Sequence, residues 1–359
     1  MMQHEFFANK QILLIDKDIK QRNDRTWCFW ETQPGLFEPV VYHRWQQLDF
    51  YSNSFAARFD IDPYVYKMIR GIDFYNYVLQ QAAPLANIHF RQEEILSVNT
   101  KAGTASVSTG SNQYTADYIF NSIIFQPHLL QAPGSLLQHF KGWLIETPTA
   151  IFDERIATFM DFRVKSAASN TFVYVLPVTN SKALVEYTVF SPALLAKEEY
   201  DIGLKQYIEQ FLKLPTYQVT DEEFGVIPMS TYTFSKGEGR IINIGTAGGQ
   251  TKSSSGYTFT FIQKQVAAIV QLLTGGQSPL VNEKLFDRRF RLYDGTLLNI
   301  LYRKKSYASD VFSELFRKNK PQRVLKFLDN ETSFAEELKI MNTVPKGIFI
   351  PAALQQLFS

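Results

Sequence analysis

One acidic residue stands in a strand that is otherwise apolar. Ala183-Leu-Val-Glu-Tyr-Thr-Val-Phe190 alternates so that Leu184, Glu186, Thr188 and Phe190 share one face, and Ala183, Val185, Tyr187 and Val189 the other. A carboxyl among apolar neighbours is desolvated, so its pKa rises and it keeps a proton near neutral pH. That is what a general acid needs. An edge-strand charge that deters aggregation, or half of a salt bridge, fits the same pattern, and spacing alone favours that plainer reading. The second signal is Gly245-Thr-Ala-Gly-Gly-Gln-Thr-Lys-Ser-Ser-Ser-Gly256, between the apolar run 240–244 and a helical pattern over 257–273. Strand, tight turn and helix start gather backbone N–H groups, an arrangement that holds a phosphate or a flavin ring oxygen. Gly248 and Gly249 would let a ligand approach the backbone closely; a Ser/Gly surface loop is the alternative. The third is Asp16, closing the run QILLIDKD at 11–18, which reads as a buried parallel strand. In dinucleotide-binding folds an acid at such a strand end bonds a ribose hydroxyl, although most acids so placed are only solvated.

NDRTWCFW at 23–30 crowds two Trp, a Phe and a Cys around polar residues, and a rigid aromatic loop would explain it. His43, His89, His128 and His139 show no metal-ligand spacing, so no metal is expected. Neither a Gly-x-Ser-x-Gly nor a P-loop pattern occurs.

Around these residues the elements can be sketched. Residues 172–176 and 183–190 form a hairpin about a turn of Thr179, Asn180 and Ser181, which puts Glu186 on an antiparallel sheet. Partial alternation in 42–52 and 55–66 predicts further strands of that sheet, and 88–122 reads as a β-meander broken at Gly103 and Gly110. Helical spacing over 73–83 aligns Phe74, Tyr77 and Val78. Residues 195–214 are helical, 224–229 strand and turn, and the 257–273 helix stops at Gly275 and Gly276. Residues 281–359 read as mostly helical, punctuated by Pro321, Pro345 and Pro351. Rossmann-like strands thus flank an antiparallel middle, which is an interleaved, mixed α/β plan. Residues 1–35, 68–130 and 236–280 make one discontinuous domain, 36–67 and 131–235 a substrate-binding sheet domain, and 281–359 a helical C-terminal region.

At 359 residues, 45% hydrophobic and 20% charged, the chain builds a large core and is not disordered. A formal charge of +2 argues against a nucleic-acid binder driven by overall charge. The single Cys28 excludes an internal disulfide and a Cys-built zinc site, and suits a cytoplasmic setting. No apolar run is long enough to span a bilayer. Aromatic residues, at 14%, suit a large greasy ligand as well as a dense core. Between Val281 and Lys326, twelve basic residues face five acidic ones. Phe290, Leu292, Tyr293, Leu297, Leu298, Ile300, Leu301 and Tyr302 are interleaved with them, so this stretch could form a membrane-facing surface or a solvated helical face.

NDRTWCFW, IRGIDFY at 69–75, FVYVLP followed by ALVEYT at 183–188, GVIPM at 225–229, GTAGGQTKSSSGY at 245–257 and FLDNET at 327–332 occur in this order, and their combination resembles the lycopene β-cyclases from about Ile12 to Pro351. The resemblance implies a Rossmann-type FAD-binding domain interleaved with an antiparallel substrate sheet. It implies a non-redox reaction that closes the acyclic ends of lycopene to β-ionone rings, giving γ-carotene and then β-carotene. Reduced FAD would be required but not consumed, with NAD(P)H as reductant, at a peripheral membrane surface. It places Glu186, followed by Thr188, on the family's acidic position as proton donor, and Asp16, Arg70, Gly245, Gly248, Gly249 and Gly256 at the cofactor. A flavin-dependent prenyl-chain reductase or hydroxylase of the same fold, and a flavin-less carotenoid- or lipid-binding relic, are the rival readings. The number of ring closures, the ring type and the oligomeric state stay open.

The family opens with a strand and a G-x-G-x-x-G turn that carries the FAD pyrophosphate. Here only fifteen residues precede Asp16, and the first glycine is Gly35. The expectation is a chain lacking that N-terminal segment, which made alone binds FAD poorly or misfolds.

Overall fold

The computed structural model describes residues 1–2, 4–101, 103–131, 134–164, 170–282 and 285–357. Its centre is a seven-stranded sheet in the order Gln218–Met229, Leu136–Glu146, Lys182–Ser191, Thr171–Pro177, Ile156–Asp161, Gln47–Tyr51 and Ala56–Asp60. Neighbours pair antiparallel except Ile156–Asp161 with Gln47–Tyr51, which run parallel. The hairpin and the Gln47–Asp60 strands follow the expected alternation. Residues 224–229, however, are only the end of a twelve-residue edge strand.

Strand alternation gives the sheet two different faces. Val185, Tyr187 and Val189 pack with Val173 and Val175 under the helix Lys197–Gln210, where Tyr200, Leu204, Tyr207 and Ile208 are buried. A Cβ on Gly203 of that helix would lie 2.5 Å from the Tyr187 ring, so the glycine lets helix and sheet close up. The other face, with Leu184, Phe190, Phe172 and Tyr174, lies in the main core with Trp30, Trp45, Tyr66 and Phe159. The C-terminal helices Arg288–Tyr302, Ala308–Lys318 and Pro321–Leu328 cover that face through Leu298, Leu301, Phe312, Phe316 and Leu325.

Of the apolar residues interleaved in 281–326, Phe290, Leu298, Ile300 and Leu301 are core residues, each 3% exposed or less, while Tyr302 is exposed. Glu283 and Lys284 of that stretch lie outside the described residues. Pro321 opens its helix at the first turn, as punctuation should, but Pro351 sits inside Lys346–Leu357.

Four smaller sheets are found among the other described residues. Ile12–Asp16 pairs parallel with Ile88–Gln92, and Ile119–Asn121 parallel with Ile241–Asn243. The meander is therefore confined to Ile95–Lys101, Thr104–Thr109 and Gln113–Ala116, while 88–92 and 119–121 belong to parallel pairs. The Asp16 strand is parallel as expected but not buried: Leu13 is 37% and Leu14 40% exposed. Among the described residues it has a strand partner along one edge only. Finally, Thr26–Glu31 is a strand, not a loop, pairing with Val65–Arg70, which also pairs with His43–Trp45.

Candidate active site

Strand Leu136–Glu146 runs between Lys182–Ser191 and Gln218–Met229, and one of its residues, Gly142, is opposite Glu186 on one side and Glu223 on the other. Strands about 5 Å apart leave two such glutamates about 10 Å apart at the backbone, with the glycine's empty position between them. The carboxyls lean into that gap and interact directly. A Cβ on Gly142 would stand 2.9 Å from Glu223 Cγ and 3.0 Å from Leu184 Cδ1, so only glycine leaves the gap open.

Each carboxyl is held from its own side. Thr188 Oγ1 donates to Glu186 Oε1 at 2.7 Å, and Thr26 Oγ1 donates to Glu223 Oε2 at 2.7 Å. Burial first, and then the negative charge of Glu223, push the Glu186 carboxyl up to about 8. Burial raises Glu223 too, against the hydrogen bonds from Thr26 and Glu186 that favour its charge. Burial thus favours the protonated form of both carboxyls, and the two titrate as a pair.

The strand Thr26–Glu31 supplies the opposite wall, and its period of two sorts its side chains. Thr26 reaches Glu223, Cys28 feels the charges of Glu186 and Glu223, and Trp30 adjoins Asp329, whereas Trp27 and Phe29 turn away to pack on Phe259. Asp329 is buried, and desolvation pushes it up to about 7. Tyr174 stands opposite Glu186 in register, and Tyr257 lies against Tyr174 and Cys28. With Trp30, Tyr66 and Phe159 they form an aromatic box: Trp30 to Tyr257 4.7 Å, Tyr66 to Phe159 5.5 Å, Phe159 to Tyr174 6.1 Å between ring centroids. The Trp30 Nε1 and the Tyr257 hydroxyl are buried without an acceptor or donor in hydrogen-bonding geometry.

On the solvent side of Glu223 lies a cleft of about 50 Å³, lined by polar residues that include Asn23, Thr26, Arg70, Asp221 and Glu222 and by the apolar Met68, Leu144, Val178 and Leu184. Arg70 is therefore near the acid pair, but its guanidinium is occupied by Asp73, at 2.6 and 2.9 Å, and by the Tyr42 ring at 3.9 Å.

The other sequence-nominated residues lie in different surroundings. The Asp16 carboxylate accepts the backbone N–H of Asp18 at 2.8 Å and pairs with Lys20 at 3.0 Å, so it stabilises its own turn. Gly245 and Gly249 have φ of +59° and +72°, as a turn into a helix requires. What approaches Gly248 and Gly249 is this chain itself: Lys236 Nζ donates to the Gly248 carbonyl at 2.7 Å, and the Phe234 Cβ would be 3.2 Å from a Cβ on Gly249. Gly256, with φ of +72°, packs against Gln138 and Ile227 and sets Tyr257 beneath the sheet. The turn preceding helix Phe259–Thr274 suits the ring end of a flavin. Among the described residues no glycine-rich run of N–H groups adjoins the Asp16 strand.

Lys252, inside the Ser-rich run, explains how two distant motifs meet. It is 4% exposed and donates to Asp294 and Asn330 at 2.7 Å each, while Ser254 also donates to Asp294. GTAGGQTKSSSG is thereby tied to FLDNET and to the helices that roof the acid pair.

Glu223, Tyr174, Tyr257 and Asp329 were not nominated from sequence. The available signal was Gly142 in mid-strand, which marks a close approach of something across it.

Comparison with known proteins identifies the family and the fold. The sequence model of the family described as lycopene cyclase protein matches residues 7–353. No curated protein matches the chain. Among solved structures, a flavoprotein/dehydrogenase from Cytophaga hutchinsonii aligns with a TM-score of 0.63 at 11% identity, over 98% of this chain and 94% of that one. HpxO from Klebsiella pneumoniae, complexed with FAD and uric acid, aligns at 0.57 and 11%, over 90% and 96%. A geranylgeranyl bacteriochlorophyll reductase-like protein from Thermoplasma acidophilum aligns at 0.55 and 13%, over 97% and 89%. The fold is that of the Rossmann-type flavoproteins, mixed α/β.

Proposed function

The chain belongs to the lycopene cyclase family, and from that premise we propose that it is a lycopene β-cyclase, closing the acyclic ends of lycopene to β-ionone rings without net redox change. The observation that carries the reading is a proton-holding carboxyl pair, Glu186 and Glu223, facing aromatic rings inside the core.

An alkene is a very weak base, so the donor must be an acid protonated at working pH and shielded from water. Glu186 meets both conditions. Its proton passes from the carboxyl oxygen to the terminal double bond, leaving a tertiary carbocation. The neighbouring double bond attacks that centre, a six-membered ring closes, and the cation moves to a ring carbon. Loss of one proton then sets the ring double bond. Tyr174, Trp30 and Tyr257 offer π faces to the cation, each contact worth about 0.5–2 kcal/mol, and the apolar packing excludes water that would trap it as an alcohol. Reduced FAD, kept reduced by NAD(P)H, is the family's cofactor and would supply negative charge beside the cation.

The cleft is well below the ~300–1,000 Å³ of ligand pockets, so loading a polyene requires the C-terminal helices to part from the sheet. No helix among the described residues is long and apolar enough to cross a membrane. Exposed Phe334, Leu338, Ile350, Leu354 and Leu357 on the last two helices support docking on a bilayer, where lycopene dissolves.

The test is pigment analysis in lycopene-accumulating bacteria. The protein should convert lycopene to cyclised carotenoid without NAD(P)H consumption in proportion to product. Glu186→Gln should lower ring closure at least ~100-fold, the scale of a lost general acid. Stoichiometric nicotinamide oxidation would point to a reductase or hydroxylase, and a fully active Glu186→Gln variant would remove Glu186 from the role.

A further inference from the structure

The acid pair is asymmetric with respect to water. Glu223 lines the cleft, whereas Glu186 lies behind it against Tyr174 and Cys28. Gly142 supplies the opening through which the two carboxyls meet, and Thr26 holds Glu223 from the wall that faces both. The cleft has a polar side, with Asn23, Thr26, Arg70, Asp221 and Glu222 around Glu223, and an apolar side of Met68, Leu144, Val178 and Leu184, so water can reach Glu223 along the polar side. On the far side of Glu186 the surroundings are aromatic.

Resting on the cyclase reading, we propose that Glu223 is a positioning residue that shares the proton of Glu186 and connects it to the cleft, making the cleft a proton inlet and leaving the aromatic side to the polyene. In each turnover the O–H bond of Glu186 breaks and a C–H bond forms on the alkene. Later a ring C–H bond breaks, its electron pair becomes the new double bond, and the proton returns to the carboxylate pair. The pair ends with the one proton it began with. Between turnovers that proton exchanges with cleft water by way of Glu223.

The charged and titratable groups around the pair are few. Cys28 on the facing strand and Tyr174 on the neighbouring one adjoin Glu186. Asp221 and Glu222 flank Glu223, with Glu222 drawn to Lys141 at 3.2 Å, while Arg70 and Tyr42 complete the cleft. Arg70 is neutralised by Asp73, so after burial the charge of Glu223 is the next influence that holds the proton on Glu186.

Two readouts test this. In Glu223→Gln the infrared band of the protonated Glu186 carboxyl should titrate about one to two pH units lower than in the unaltered protein, needing no turnover. In heavy water, cyclised product from the unaltered protein should carry solvent deuterium at the protonated carbon. The product of Glu223→Gln should carry several-fold less, as Glu186 recycles the protium taken from substrate. Glu223→Asp, which keeps the carboxyl, should restore both, and would serve alone if the Gln variant failed to fold. An unchanged Glu186 titration together with undiminished deuterium content overturns the proposal. Absence of cyclised pigment from the unaltered protein would defeat the cyclase reading, while the titration would still decide whether Glu223 holds the proton.

Discussion

At the scale of single residues, the chemistry depends on carboxyls that resist ionisation. Glu186, Glu223 and Asp329 have folded pKa values above the 4.5 and 3.8 they start from. Each folded carboxyl therefore binds more proton than its unfolded counterpart between those values and its raised one. Stability must fall as pH rises through that window, from about 5 to about 8. His139 and the N-terminal amine, whose pKa values burial lowers, act the other way by losing stability as pH falls below their unfolded values of 6.5 and 8.0, but they are two groups against three. Carboxyls held low, such as Asp153 and Glu336 at about 2, contribute no slope above pH 5 because they are ionised in both states. Denaturant midpoints should therefore be higher at pH 5.5 than at pH 8, and Glu186→Gln should flatten the difference. A midpoint that rises toward pH 8 would show that these carboxyls are not enclosed. Glu186 could be singled out in the sequence because an acid in an alternating apolar strand is a local anomaly. Glu223 could not, since it follows Asp221 and Glu222 in a stretch that looks like a solvated acidic edge.

At the scale of elements, the site is a property of strand register. A shift of one residue between Leu136–Glu146 and either neighbour would turn the carboxyl to the opposite face of the sheet. Gly142→Ala tests the register and the gap together. Its Cβ would crowd Glu223 Cγ and Leu184 Cδ1, pushing Glu223 aside. The expected result is a loss of about 1–3 kcal/mol in denaturant unfolding, with the alkaline limb of cyclisation shifted to lower pH. An unaffected pH profile would show that the carboxyls do not meet across this glycine. The element-level reading of the sequence succeeded for the hairpin, for the helix after the Gly-rich turn and for the C-terminal helices, where the hydrophobic period is clear over many residues. It failed for Thr26–Glu31, whose aromatic residues lie on both faces because one face lines the acids and the other packs on Phe259. It also failed for the burial of Ile12–Asp16, since an apolar run does not report how many strands flank it.

At the scale of the whole molecule, motifs far apart in the chain are joined by a few buried polar contacts. Lys252 is the most consequential, fastening the Gly-rich segment to Asp294 and Asn330 with its side chain 1% exposed. Lys252→Met should cost about 3–5 kcal/mol because it leaves Asp294 buried without a counter-charge. Adding Asp294→Leu to it should recover most of that loss, as apolar replacement of a whole buried pair usually does. Urea unfolding of the single and double variants would decide, and a mild single variant would mean that the C-terminal helices are anchored by other contacts.

By itself the sequence determined the mixed α/β class, the antiparallel sheet that carries Glu186, the face on which Glu186 lies and the turn ahead of helix Phe259–Thr274. These follow from periodicity and from glycine, which act over a few residues. Only the tertiary structure decided which strand lies next to which, and so that Glu223 joins Glu186 across Gly142, that Thr26–Glu31 walls them in and that the C-terminal helices roof them. Alternation assigns a side chain to a face but carries no information about its neighbour, because strand order and register are settled by packing of the whole core.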